Sequence, residues 1–292
     1  MNMLESFNSA LDYIERNLEN EIDENELAKR AHCSVYHFKR MFSYLADISL
    51  HEYIRRRRLT LAALELQNSP VKVIDVAMKY GYYSPDAFTR AFQVQHGVTP
   101  TELRISNQSL KVYPPMTFRL SIGGGEPMMF RIENKDEFQV IGITNRVTPI
   151  EMGEHPGVEQ VWRSTDHDTY AELKSINNVE PFGILHVNVG EEFGNRKADY
   201  NYYLAVASTE VSPDKFSRLV IPAMTWVVVD TKVPWEPGKW KQIYGEWFPT
   251  SGYEQVEGPT IQVGPEIQIG VEKQLLTEEV GVEFWIPIKK AR

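Results

Sequence analysis

The sequence predicts a multidomain chain: an all-α unit holding two helix-turn-helix copies, then an α+β unit of two strand-helix-strand repeats with an antiparallel sheet. Three observations predict it. Residues 81–104, GYYSPDAFTRAFQVQHGVTPTELR, are echoed by residues 33–54, so that Ser34, Phe38, Arg40, Phe42, Asp47 and Ser49 align without a gap on Ser84, Phe88, Arg90, Phe92, Gly97 and Thr99. Upstream, Leu27-Ala28 align with Val76-Ala77 after one residue of slippage, and such a repeat means two copies of one helical unit. Beyond residue 127 the apolar period changes from that of a helix to partial alternation in Val, Ile, Tyr, Phe and Trp. The charge changes with it: residues 1–112 carry 14 basic and 14 acidic side chains, whereas residues 113–292 carry 17 and 26 and account for the whole net charge of -9.

A length of 292 residues with 42% hydrophobic content fits about two domains with real cores. Cys33 is the single cysteine, which excludes an intrachain disulfide and a thiolate zinc cluster and points to a reducing compartment. The N-terminal stretch is acidic and amphipathic where a signal peptide would be basic and then apolar, and no apolar run approaches a membrane span. A cytoplasmic protein with no membrane partner is expected. The acidity does not argue against DNA, because residues 25–90 hold 11 basic against 6 acidic groups, including the run Arg55 to Arg58.

In chain order, Leu4, Phe7, Leu11, Ile14 and Leu18 recur at helical steps and predict a packing helix over 3–18. A short helix over 24–32 follows, then a turn at Cys33 and a helix to about 46 with Ser34 as N-cap. In a helix-turn-helix the second helix enters the major groove, so its exposed early positions carry the reading groups. These are Ser34, Val35, Tyr36, His37, Lys39 and Arg40, with Phe38, Met41 and Phe42 left for the core. Residues 50–67 contain no Gly or Pro and predict a spacer helix of about 27 Å. Of its four consecutive arginines at most two can face DNA together. Asn68, Ser69 and Pro70 end it, and the second unit has Gly81 as C-cap, Ser84 as N-cap and Pro85 at N1. Its candidate readers are Ser84, Pro85, Asp86, Thr89, Arg90 and Gln93. The spacer would set the two reading helices about 34 Å apart, one turn of B-DNA.

Gly81-Tyr82, Ser84, Phe88, Arg90, Phe92, Gly97, Thr99-Pro100 and Arg104 resemble the C-terminal signature of the AraC/XylS family of transcription regulators. The resemblance spans residues 3–104 and implies sequence-specific binding to double-stranded DNA, with Arg40 and Arg90 at the DNA or its backbone. Asp47 stands where the first unit often has Gly, a position that Asp tolerates because it visits the left-handed region. Leu103 replaces a common Tyr or Phe. His32, His37 and His51 form no ligand set, and no metal or cofactor is expected. Cys33 reads as a small turn residue rather than a sensor thiol.

The first domain is thus expected over residues 1–110. Residues 111–127 shift to a Pro- and Gly-rich composition that defeats helix and strand alike, which marks a linker. Gly123 to Gly125 lacks the strand and helix of a phosphate loop. In the second domain, 128–292, strands are expected over 130–133, 138–147, 182–189, 202–207, 216–230 and 282–288, with helices over 157–176 and 238–248. The order is strand, helix, strands, twice over.

Pro222-Ala223, Trp226 to Val229, Trp240, residues 243–254, Gly258-Pro259 and the closing EFWIPI resemble the GyrI-like small-molecule-binding domain. With the front domain, this resembles the Rob type of AraC-family regulator. The resemblance implies an effector-binding module of the multidrug-binding kind. That family commonly places a pocket Glu in the strand after the second helix, where PTIQVG here has Gln262, with Gly264 in place of a Tyr. A preference for cations then requires Glu246, Glu266 or Glu283 to substitute. Glu283 and Trp285 share one side of a strand, and Trp240, Tyr244 and Trp247 cluster on the second helix. The candidate ligand set is Tyr244, Glu246, Trp247, Gln262, Glu283 and Trp285; the alternative is that these aromatics form only the core.

Two function classes follow. The first is a DNA-binding transcription regulator, not an enzyme and without catalytic residues, whose small aromatic or apolar effector changes how the front domain binds DNA or contacts RNA polymerase. Two reading helices per chain allow a monomer or a weak dimer. The second class, which the GyrI-like resemblance implies, is a hydrolase of strained cyclopropane-type compounds using Glu246 or Glu283.

Overall fold

A computed structural model describes residues 3–105, 110–118, 128–148, 156–190, 199–233, 238–264 and 280–291. The chain forms two compact units, Met1–Lys39 with Ile48–Ile122, and Arg40–Asp47 with Gly123–Arg292.

Seven helices run through the front of the chain: α1 (Met3–Arg16), α2 (Glu24–Ala31), α3 (Val35–Ala46), α4 (Leu50–Asn68), α5 (Val73–Lys79), α6 (Pro85–His96) and α7 (Pro100–Ile105). Their boundaries follow local chemistry. Asp23 caps α2 by accepting from Asn25 N, Ser49 caps α4 by accepting from Glu52 N, and Ser84 caps α6 by accepting from Ala87 N. Thr99 and Glu102 form a reciprocal capping box at α7. Both repeats leave their second helix through a left-handed residue, Asp47 at φ 56° and Gly97 at φ 80°, as the Asp-for-Gly reading expects.

The two inner turns also match. His32 (φ 53°) and Gly81 (φ 81°) are both left-handed, and Cys33 N→Ala28 O at 3.1 Å is repeated by Tyr82 N→Ala77 O at 2.9 Å. The left-handed residue of the first turn is His32, immediately before Cys33, and the one-residue slippage at Leu27-Ala28 continues through it to Gly81. One core of the front unit gathers Leu59, Ala62, Ala63, Leu66, Val76, Ala77, Phe88, Phe92 and Leu103 around α4.

The rear unit is a nine-stranded antiparallel sheet of β1 (Phe130–Lys135), β2 (Phe138–Val147), β3 (Leu185–Val189), β4 (Tyr200–Ala207), β5 (Ser217–Ile221), β6 (Met224–Val233), β7 (Tyr253–Gln255), β8 (Thr260–Val263) and β9 (Val280–Lys290). Its order is β1-β6-β9-β8-β3-β4-β2-β5, with β7 on β9. This order is symmetric about the β3–β8 seam, so each half contributes one strand-helix-strand-strand repeat, as the sequence predicts. The expected helix 157–176 is two helices, α8 (Pro156–Ser164) and α9 (His167–Ile176), because Asp166 starts a new helix by capping Thr169 N. Likewise the expected strand 216–230 is a hairpin of β5 and β6, broken at Pro222-Ala223. The expected helix 238–248 consists of α10 (Lys239–Gln242), a π-helical turn (Ile243–Trp247) and α11 (Phe248–Ser251). A wider turn of this kind is frequently found at functional sites.

The sheet alternates cleanly. One face carries Val140, Leu185, Val187, Ala205, Trp226, Val228, Ile261 and Trp285 into one core. Ile141, Tyr202, Leu204 and Val206 point the other way, into a core with Val161 of α8 and Tyr170 and Leu173 of α9. On that same side Trp240 packs edge-on against Phe284, and Trp247 against Phe130. Gly142 permits the pairing of β2 with β4, since a Cβ there would lie 2.1 Å from the Leu204 carbonyl oxygen.

Candidate DNA-reading helices and effector site

Of the first reading helix, Ser34 accepts from His37 N at 3.2 Å and so caps α3. Val35 and Tyr36 are half-buried and His37 is buried. Lys39 pairs with Glu24 at 2.6 Å. Arg40 is buried, donates to the Tyr44 hydroxyl at 3.0 Å and lies over that ring. Of the second, Ser84, Pro85, Asp86, Arg90 and Gln93 are exposed and Thr89 is half-buried; Arg90 reaches back to the Asp86 carbonyl at 3.3 Å. Tyr83, just before the cap, is 92% exposed, and Val94 is 80% exposed.

Each arginine of the spacer run is bonded inside the protein. Arg55 and Arg56 both grip Glu52, whose carboxyl burial would raise and whose arginine partners lower, with a net fall below the ordinary range. Arg57 is buried and binds Glu15 at 2.7 Å and the Tyr113 carbonyl at 2.5 Å. Arg58 donates to the carbonyls of Leu18 and Asn20. Tyr53 completes this clasp: its hydroxyl donates to Glu15 at 2.6 Å and accepts from Met116 N at 3.2 Å. Residues 110–118, read from sequence as mostly linker, are thereby strapped to α1 and α4, with Asn8 holding both N and O of Phe118. The glycine run at 123–125 lies outside the described residues.

The six candidate ligand residues separate by sheet face. Glu283 and Trp285 lie on one face, where a groove of about 540 Å³ is lined by Arg131, Glu133, Asp230, Glu283 and Trp285 among others. Arg131 binds Glu283 with two hydrogen bonds of 2.7 and 2.9 Å, and Trp285 Nε1 donates to the same carboxylate at 3.0 Å. Burial would raise the Glu283 carboxyl, but these donors hold it below the usual range. Gln262 lies on the opposite face, because it pairs with Phe284 rather than with Glu283 or Trp285. Tyr244, whose hydroxyl meets Gln255 at 2.7 Å, and Trp247 are on the π-helical turn with Glu246, which is exposed. Glu266, the third possible substitute carboxylate, lies outside the described residues.

Around Gln262 the fold assembles residues that the sequence reading did not single out. Across the β3–β8 seam His186 pairs with Gln262 and Asn188 with Thr260, which puts four polar side chains on one face. Trp162 Nε1 donates to His186 Nδ1 and to the Tyr202 hydroxyl, both at 3.0 Å, and His186 Nδ1 also meets that hydroxyl. An indole N–H can only donate, so Nδ1 is the acceptor and the proton of the neutral ring sits on Nε2. Full burial pushes the His186 pKa down to about 3. Thr260 is 4% exposed, and its Oγ1 and the Asn188 Oδ1 are buried without a partner among the described residues. The signal was present as polar alternation inside apolar strands, His-x-Asn in LHVNV and Thr-x-Gln in TIQV.

Among the described residues no helix is long and apolar enough to cross a membrane, and no cluster of three His, Cys, Asp or Glu could hold a metal ion.

Two capped helix-turn-helix copies followed by a doubled strand-helix sheet define a DNA-binding regulator with an appended small-molecule module. Comparison with known proteins agrees: residues 27–106 match a helix-turn-helix domain family and residues 131–288 match the integron-associated effector binding protein family. AarP of Providencia stuartii, an HTH-type transcriptional activator, is 37% identical over 95 residues, covering 32% of this chain and 70% of its own. SoxS of Salmonella typhimurium, a regulatory protein, is 34% identical over 94 residues (32% and 88%), and MarA of the same organism, a multiple antibiotic resistance protein, is 35% identical over 102 (35% and 80%). Among solved structures, SAV2435 bound to tetraphenylphosphonium is similar with a TM-score of 0.42 and 17% identity, over 56% of this chain and 94% of that one. The chain belongs to the AraC-type transcription regulators, and its C-terminal domain to the effector-binding, GyrI-like family.

Proposed function

We propose that this regulator reads its operator with Ser34, Val35, Tyr36 and Lys39 of the first helix-turn-helix, where His37 and Arg40 are buried instead of free to read, and with Ser84 to Gln93 of the second, and that a small aromatic or apolar effector on the rear sheet controls that reading. The observation that carries the first part is the repeated backbone: a left-handed turn, then a serine-capped helix, with the same hydrogen bonds at both copies. The exposed groups of α6 supply reading chemistry, Arg90 for guanine or phosphate and Gln93 for adenine. The effector part is supported by the aromatic surroundings of the β3–β8 seam, Trp162, Tyr202 and Phe284.

Because both reading helices belong to one chain, a single copy suffices for one operator, and a contact with RNA polymerase would follow from where that operator lies. The test is a gel shift with the full chain on candidate upstream DNA, titrated with salt. Arg90→Ala is expected to weaken specific binding by about tenfold or more and to lower the salt slope. No preference for any sequence over competitor DNA would overturn the reading. Turnover of a cyclopropane-type substrate, abolished by Glu283→Gln, would replace it with the hydrolase.

A further inference from the structure

Resting on the reading of the seam as the effector site, we propose that the effector is an uncharged aromatic amide or lactam, whose C=O accepts from Thr260 Oγ1 and whose N–H donates to Asn188 Oδ1. The two residues face each other in register across β3 and β8. Directly opposed side chains on a sheet stand about 5 Å apart at Cβ, close enough for one small donor–acceptor group to meet both. Both oxygens are buried without a partner among the described residues, and an unmatched buried polar atom is costly until something satisfies it. Asn188 and Gln262 keep part of their surface in solvent, whereas the two oxygens do not, so a ligand entering beside Asn188 and Gln262 must displace the side chains that cover them.

The charge of the ligand follows from the same strip. Asn188, Thr260 and Gln262 carry no charge, and His186 is locked as a neutral ring by Trp162 and Tyr202. A cation desolvated there would meet no carboxylate among these groups, and an unpaired buried charge is far more expensive than an unpaired dipole. Glu283 cannot serve, because it lies on the opposite face and is already held by Arg131. A flat lactam instead offers its ring to the Trp162 and Tyr202 side and its amide edge to the orphaned pair.

The experiment compares 2-quinolone with N-methylquinolinium, a cation of similar size, on the full chain, by calorimetry and by the thermal shift each produces. The wild type is expected to bind 2-quinolone at least about tenfold more tightly than the cation. Thr260→Val, which removes the hydroxyl at nearly constant shape, should weaken 2-quinolone by about tenfold. Gln262→Glu should bring the cation up to or above the lactam. An unliganded melting temperature within a few degrees of wild type shows that each variant is folded. Equal or tighter wild-type binding of the cation would overturn the proposal, as would an unaltered lactam affinity in Thr260→Val. If the cation binds the wild type and also shifts DNA affinity, effector control of DNA binding stands and only the ligand class falls. If neither probe binds, the lactam class falls, and whether any other compound that stabilises the full chain also shifts its DNA affinity decides effector control separately.

Discussion

In the front unit a strap hangs on an ion pair, whereas the seam of the rear sheet rests on neutral rings and hydroxyls. In the front, buried Arg57 and half-buried Glu15 form an ion pair with Tyr53, and the strap of residues 113–118 hangs on that cluster. In the rear, Trp162, His186 and Tyr202 form a network of the same size with no formal charge. The difference teaches where charge is structural and where it is free to act. Removing one member of a buried ion pair strands the other, so the front cluster is rigidly specified and the spacer arginines belong to architecture more than to DNA. A neutral network tolerates a change of partner, which suits a surface that must accept a ligand.

The comparison is best broken at Arg57. Arg57→Ala should destabilise the full chain by about 3–5 kcal/mol, read by urea unfolding, because Glu15 is left unpaired and the Tyr113 carbonyl loses its donor. Arg57→Lys should recover only part, since a single ammonium cannot reproduce the bidentate geometry. A loss below about 1 kcal/mol in the alanine variant would show that the clasp is incidental.

The rear network gives a pH signature instead. His186 stays neutral in the fold to about pH 3, whereas the unfolded ring takes a proton below its ordinary value, so the unfolded state binds more protons between the two. Stability therefore falls as pH drops through that window, by up to about 1.4 kcal/mol per unit. Between pH 6.5 and 5, unfolding followed by Trp fluorescence should register a loss of about 2 kcal/mol, and His186→Gln should flatten the slope. A slope unchanged in that variant would remove His186 as its source.

The finest contrast lies between the two inner turns. Gly81→Ala should cost roughly 1–3 kcal/mol, since the residue sits at φ 81° and a Cβ would come 3.0 Å from Arg58 Nη1. His32→Gly, at the equivalent turn, should change stability by less than about 1 kcal/mol in either direction. Equal losses at both positions would mean that the turns are not sterically different.

Much of this was legible in the sequence. The serine caps, the left-handed Asp47, the spacer helix and the doubled order of the rear unit each depend on contacts within a few residues or on a repeated pattern. The breaks were harder: Asp166 reads as one more polar residue inside a helical pattern, and only its bond to Thr169 N shows that a second helix starts there. The candidate ligand set split because strand alternation puts Glu283 and Trp285 together, while the pairing of β8 with β9 sends Gln262 to the other side.

The sequence by itself determined that two helix-turn-helix copies precede a doubled strand-helix module, and local capping and periodicity suffice for that. Only the tertiary structure decided which charges are committed and which polar groups meet. Arg57 finds Glu15 across 42 residues, and Asn188 finds Thr260 across a seam that exists only once the two halves of the sheet pair. Such meetings depend on strand register and helix packing, which no spacing along the chain encodes.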